Sequence, residues 1–263
     1  MKRFWSDLKK HNGYALYAAK AELKAEVASS YLNWVWWVLE PLCFMIIYSI
    51  VFGYIFNAKE KNFSLFIFIG ITAWDFFSRN LRNSVRMVKR NKPIVSKVYM
   101  PKFILILSKM YVNGFKMVIS FGIIVIMLAI YRVPVTVNIV LVIPLLVILW
   151  ILSFGLMCIL LHFGVFIDDL SNIINLLLKF VFYMTGIFYN IETRIGKKSP
   201  MLGSLVGECN PMAYLIISFR KVILYGERPK FILIAVWFVV SCLISIYGIQ
   251  LIYKNENSYV KVI

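Results

Sequence analysis

The apolar residues of this sequence are gathered into runs longer than a soluble core requires, and those runs decide the fold class. A run of about 18 or more apolar residues spans the hydrocarbon layer as a helix. Lipid offers the backbone no hydrogen-bond partners, so only helices and closed barrels satisfy it internally. A barrel would show segments of about ten residues alternating between apolar and polar. These runs do not alternate. The expected fold is an all-α integral membrane protein with six transmembrane helices. Composition points the same way: 61% of the 263 residues are hydrophobic and 16% are charged, against about 45–50% and about 25% in a typical globular domain.

Along the chain, residues 1–36 read as a cytoplasmic leader, and 37–263 as a single transmembrane domain. Between Tyr14 and Val27 the pattern suits an amphipathic helix lying in the interface plane, with Leu16, Leu23 and Val27 near one face. Tyr31, Trp34, Trp36 and Trp37 mark the headgroup level where the chain enters the bilayer. The expected spans are about 38–56, 63–77, 103–131, 139–167, 173–189 and 231–253. The first opens on Glu40 and Pro41, and a short polar turn over 57–62 separates it from the second. The segment 190–229 is too polar to span, yet 212–224 is amphipathic, which suggests one or two short helices re-entering the outer leaflet.

The stretch 78–109 holds Arg79, Arg82, Arg86, Lys89, Arg90, Lys92, Lys97, Lys102 and Lys109 and no acid. Basic loops stay on the cytoplasmic side. Two spans precede this one, so both termini are expected to be cytoplasmic. The net charge of +17 is then largely a juxtamembrane excess facing anionic lipid, and it does not point to nucleic acid. Within the loop, Pro93 and Pro101 bracket a segment expected to form a short helix across the membrane axis. It reads either as a coupling helix that docks into a partner protein or as a basic connector held on anionic lipid.

Several chemistries are not supported. There is no GxxxxGK[ST] phosphate loop, no HExxH and no GxSxG, and His11 and His162 are far apart. The cysteines, Cys43, Cys158, Cys209 and Cys242, show no metal or CxxC spacing. No cleavable signal peptide is visible in the leader. The charges expected within spans are Glu40, Asp75, Lys116 and Lys179. Such charges face a cavity or a partner, so Lys116 either lines a polar conduit or pairs with an acid. Phe180, Tyr183 and Tyr189 belong to aromatic rows that could stack on sugar faces or simply pack in the bilayer.

Taken in order, these segments resemble the permease subunit of type 2 ATP-binding cassette exporters of polysaccharides such as O-antigen, capsule and teichoic acid. The resemblance covers nearly the whole chain. It is carried by Glu22-Leu23-Lys24, Ser30-Tyr31-Leu32-Asn33-Trp34 and Leu39-Glu40-Pro41-Leu42, then by Val51-Phe52-Gly53 and Val98-Tyr99-Met100-Pro101-Lys102. Its most specific part is Asn210-Pro211-Met212-Ala213-Tyr214, with Phe219-Arg220 and Leu224-Tyr225-Gly226. One position departs: Asp168 in Phe166-Ile167-Asp168-Asp169-Leu170 stands where the family often has arginine. The resemblance implies a homodimer in the bacterial cytoplasmic membrane, working with separate ATPase subunits that bind the ATP and Mg²⁺. It implies ATPase coupling through Lys92, Pro93, Ser96, Lys97, Val98, Tyr99 and Pro101. It implies a gate at Asn210, Pro211, Tyr214 and Arg220, a lipid-linked glycan as cargo, and no catalytic or metal site in this chain. The other readings are a drug or peptide exporter permease, a membrane enzyme acting on lipid-linked sugars, and a non-catalytic scaffold.

Overall fold

The computed structural model describes residues 2–28, 31–55, 60, 62–95, 100–196 and 199–262, and among them every regular element is a helix. Helix α1 is Lys2–Ala28. A short 3-10 turn then leads into α2 (Trp36–Tyr48), which widens into a π-helical segment, Ser49–Ile55. Next come α3 (Phe63–Val85), two short helical turns α4 (Met87–Arg90) and α5 (Lys92–Val95), and α6 (Phe103–Ile130). A second 3-10 turn opens α7 (Val142–Phe166), and α8 is Leu170–Met184. The chain continues through α9 (Pro200–Glu208) and α10 (Pro211–Arg220) to α11 (Phe231–Val262). Four helical stretches, Asn33–Tyr54, Phe103–Ile130, Val137–Phe166 and Phe231–Glu256, are long and apolar enough to cross a bilayer. The chain is a multi-pass membrane protein. Parts of the turn at 57–62, and residues 96–99 and 197–198, lie outside the described residues.

Helix α3 is the least apolar of the long bundle helices and sits at its centre, against α2, α6, α7, α8 and α10. It runs to Val85, beyond the 77 at which the apolar run stops. The reason lies in its inner face: Ser78, Asn80, Leu81, Ser84 and Val85 are all buried against neighbours. Buried polar groups need partners, and Asn113 of α6 donates to Asn80 at 2.7 Å. Gly164 of α7 meets the Val85 carbonyl so closely that any side chain there would collide with it. Helices α7 and α11 pair along most of their length, and Ser245 donates to the Ile151 carbonyl across the seam at 2.8 Å.

Helix α1 packs along the first half of α6. The face it presents is built on Phe4, Leu8, Ala15 and Ala19, while Leu16 points away and is 44% exposed. Small alanines let the two backbones approach, so the contact with α6 is built on residue size and leaves Leu16 outside it. Polar bonds finish the joint. Tyr111 donates to Asn12 at 2.7 Å, Lys116 pairs with Glu26 at 2.6 Å, and Lys109 pairs with Glu22.

One end of the bundle gathers both chain termini. Arg3 bonds Glu256 at 2.7 Å, Tyr253 donates to Asp7 at 2.8 Å, and His162 bonds the buried Tyr259 hydroxyl at 2.8 Å. At this end Lys89 of α4 also pairs with Asp168 in the turn after α7, and the ammonium holds that carboxyl below its ordinary range. The position that departs from the family pattern is therefore tied to the basic connector. The other end carries the α6–α7 turn and residues 185–196 and 199–230, joined where Asn138 donates to the Gly226 carbonyl at 2.6 Å.

Candidate functional site

A groove of about 670 Å³ runs between α2, α3 and α8. Helical spacing builds each wall. On α3 the lining residues are Ile71, Trp74, Asp75, Ser78, Arg79 and Arg82, spaced by threes and fours along one face. Helix α2 contributes Glu40, Phe44 and Tyr48, four residues apart, and α8 contributes Asn175, Leu178, Lys179 and Phe182. Charges this far into a membrane helix are costly unless paired or hydrated. Arg79 meets that need twice, donating to Glu40 at 2.8 Å and standing 3.7 Å from Asp75. Arg82 bonds its own helix, through the Ser78 carbonyl and hydroxyl at 3.3 and 3.0 Å. Lys179 completes the wall. Three cations thus face two carboxylates, and the groove carries a positive excess.

Towards the end away from the termini the walls become aromatic. Phe44 stacks on Tyr48 with centroids 6.1 Å apart, and Trp74 meets Phe182 at 5.5 Å. Charges at one end and ring faces at the other suit a polar amphiphile. The arrangement holds no histidine or thiol, and no acid–base–nucleophile set stands among its lining residues.

Beyond the aromatic end lies α10. Asn210 caps it, its side chain accepting from the Met212 and Ala213 amides at 3.0 and 3.3 Å, and Pro211 fills the first turn, where its missing N–H is no loss. Most of α10 is buried, and Tyr214 donates to the Lys230 carbonyl at 2.8 Å. Arg220 is 3% exposed, and among the described residues its hydrogen bonds go to backbone carbonyls. It donates to three carbonyls: Gly186 and Ile187 at 2.8 Å each, and Phe66 at 3.0 Å. Its guanidinium also lies 3.4 Å from the Phe66 ring centroid.

The residues singled out in the sequence fall in different places. Asn210, Pro211, Tyr214 and Arg220 all belong to α10 and its cap; Tyr214 and Arg220 are buried, and Asn210 and Pro211 are half-buried. Lys116 is held by Glu26 and lines a separate small pocket of about 40 Å³ that it shares with Glu40, Asp75 and Arg79. Phe180 and Tyr183 are each 64% exposed on the open side of α8, and the Tyr189 hydroxyl bonds the Tyr183 carbonyl at 3.0 Å. The aromatic residues that do line the groove are Phe44, Tyr48, Trp74 and Phe182. Lys92 and Pro93 lie in α5, and Pro101 immediately precedes α6. Ser96, Lys97, Val98 and Tyr99 are outside the described residues. Sequence reading assigned Arg79 and Arg82 to a basic connector. Their spacing of four and seven from Asp75 was the signal that places all three on one helix face.

No protein-family model matches the chain. Curated relatives align along almost its full length. Two proteins from Klebsiella pneumoniae, both named O-antigen export system permease protein RfbA, are 25% and 24% identical over 243 residues, 92% of each chain. A protein of the same name from Myxococcus xanthus is 27% identical over 229 residues, 87% of each chain. Along nearly its whole length the chain is similar to proteins named O-antigen export permeases. Both the groove helices and the Asn210–Arg220 segment fall within an alignment of that extent.

Proposed function

We propose that this chain is the membrane permease subunit of an ATP-binding cassette exporter that moves a lipid-linked polysaccharide, O-antigen-like in class, across the bacterial cytoplasmic membrane. The observation that carries the reading is the near-full-length likeness to O-antigen export permeases. The chain is then a transport subunit, and the ATP is hydrolysed by a separate ATPase that binds the nucleotide and Mg²⁺. Six spans follow if α3 and α8 cross along with the four apolar stretches, with α9 and α10 as re-entrant helices. The end holding the termini and the basic α4–α5 connector faces the cytoplasm by its charge.

In this reading the groove takes the glycan past the hydrocarbon layer, with charges at its inner end and ring faces at its outer end. A second copy of the chain closes its open side. That placement is supported by the exposed apolar residues along α2 and α8, among them Phe44, Ile47, Leu176 and Phe180. The ATPase contacts α1 and residues 91–99. Affinity purification from native membranes in mild detergent, with mass spectrometry, tests the assignment. A Walker-motif ATPase should co-purify in roughly equal amount. Recovery of the chain alone, at good yield, would favour a free-standing membrane enzyme or scaffold.

A further inference from the structure

Phe188 lies in the turn that follows α8, at the aromatic end of the groove. Its ring stacks on Phe52 with centroids 4.2 Å apart and planes 14° from parallel. Tyr48 meets its edge at 4.9 Å and Phe182 at 5.2 Å. Tyr48 and Phe182 also line the groove, so the Phe52–Phe188 stack stands directly behind its aromatic end. Phe188 itself is only 7% exposed.

The two sides of the stack are held differently. The Phe188 turn is fixed. Gly186 adopts φ 68°, a conformation open to glycine at little cost. Arg220 then ties down the carbonyls of Gly186 and Ile187, the two residues just before Phe188. The Phe52 side is looser. Phe52 sits in the π-helical segment Ser49–Ile55, and π-turns inside helices occur frequently at functional sites. In the same segment the buried Ser49 hydroxyl has no hydrogen-bond partner among the described residues, which marks this stretch as less completely bonded than the Phe188 turn.

We propose that the Phe52–Phe188 stack is a plug closing the outer end of the groove, and that Arg220 is the positioning residue that holds its fixed half. This rests on the reading of the groove as the export path. The plug opens when the π-segment of α2 moves, while the Arg220 clamp stays made. Arg220 thereby acts through backbone placement and does not meet the cargo.

Cysteine accessibility tests this without requiring export. In a variant with Cys43, Cys158, Cys209 and Cys242 replaced, Asn175→Cys puts a thiol in the groove on the inner side of the plug. Intact cells are then treated with a membrane-impermeant thiol reagent. Slow labelling is expected while the stack is present. Phe188→Ala or Phe52→Ala should raise the rate about three- to tenfold, the scale of one aromatic pair. Phe188→Trp should keep the thiol protected, and Arg220→Ala should expose it more than Arg220→Lys. Fast labelling with Phe188 present, or no change in either alanine variant, would overturn the plug. Faster labelling in those variants, alongside a parent protein that exports no glycan, would keep the plug and remove the cargo reading.

Discussion

Arg79 serves two carboxylates at once, Glu40 at 2.8 Å and Asp75 at 3.7 Å. Removing it takes from both acids the cation that pairs with them and leaves only the more distant Arg82 and Lys179 in the groove, whereas removing Glu40 leaves Arg79 its second partner. Arg79→Gln should therefore cost more stability than Glu40→Gln, and the double variant should lose less than the sum. The side chains are 31% and 44% exposed, so water screens the pair and the coupling belongs at the lower end of about 0.5–3 kcal/mol. Thermal unfolding in detergent measures it, and strict additivity would show that the pair is incidental. Gly164 offers a sharper contrast. Gly164→Ala drives a methyl into the Val85 carbonyl, whereas Gly122→Ala meets nothing within 4 Å. The first should destabilise by about 1–3 kcal/mol, and the second should be neutral or stabilise by up to about 1 kcal/mol. Equal melting temperatures would mean that the α3–α7 contact is looser than the structure has it.

At the scale of elements, α1 is joined to α6 by Lys109 with Glu22 and Lys116 with Glu26. Partly exposed pairs are worth about 0.2–1 kcal/mol each and weaken with salt. Glu22→Gln with Glu26→Gln should leave the bundle folded but free the end of α1, seen as faster trypsin cleavage at Lys20 and Lys24. High salt should speed cleavage of the parent protein and leave the double variant unchanged; protection in that variant would assign the docking to Phe4, Leu8, Ala15 and Ala19 alone. The long helices were legible in the sequence because lipid forces a continuous apolar run. The extent of α3 was not, since a helix buried by its neighbours can carry Ser78, Asn80 and Ser84 where a lipid-facing one cannot. Of the groove, Glu40, Asp75 and Lys179 were visible as charges inside spans. That α2, α3 and α8 bring them to one cleft is a tertiary fact with no local signal. Arg79 and Arg82 were hidden by the charge rule that made them part of a loop, although their helical register with Asp75 was on the page.

At the scale of the whole molecule, the bundle divides into a tightly packed body and a thinly covered flank. Helices α3, α6 and α7 pack on one another and α11 packs on α7, while α2 and α8 show apolar side chains outward along the groove. A flank of that kind needs lipid or a second copy against it, and the groove it borders is the path on which the proposed transport depends. The claim is tested most directly in inverted membrane vesicles that carry this chain, its ATPase and a lipid-linked glycan. Movement of the glycan into the lumen is read as protection from an added glycosidase. ATP should produce protection in vesicles that hold the chain, and vesicles lacking it should show none. Protection that appears without the chain, or that does not depend on ATP, would contradict the account.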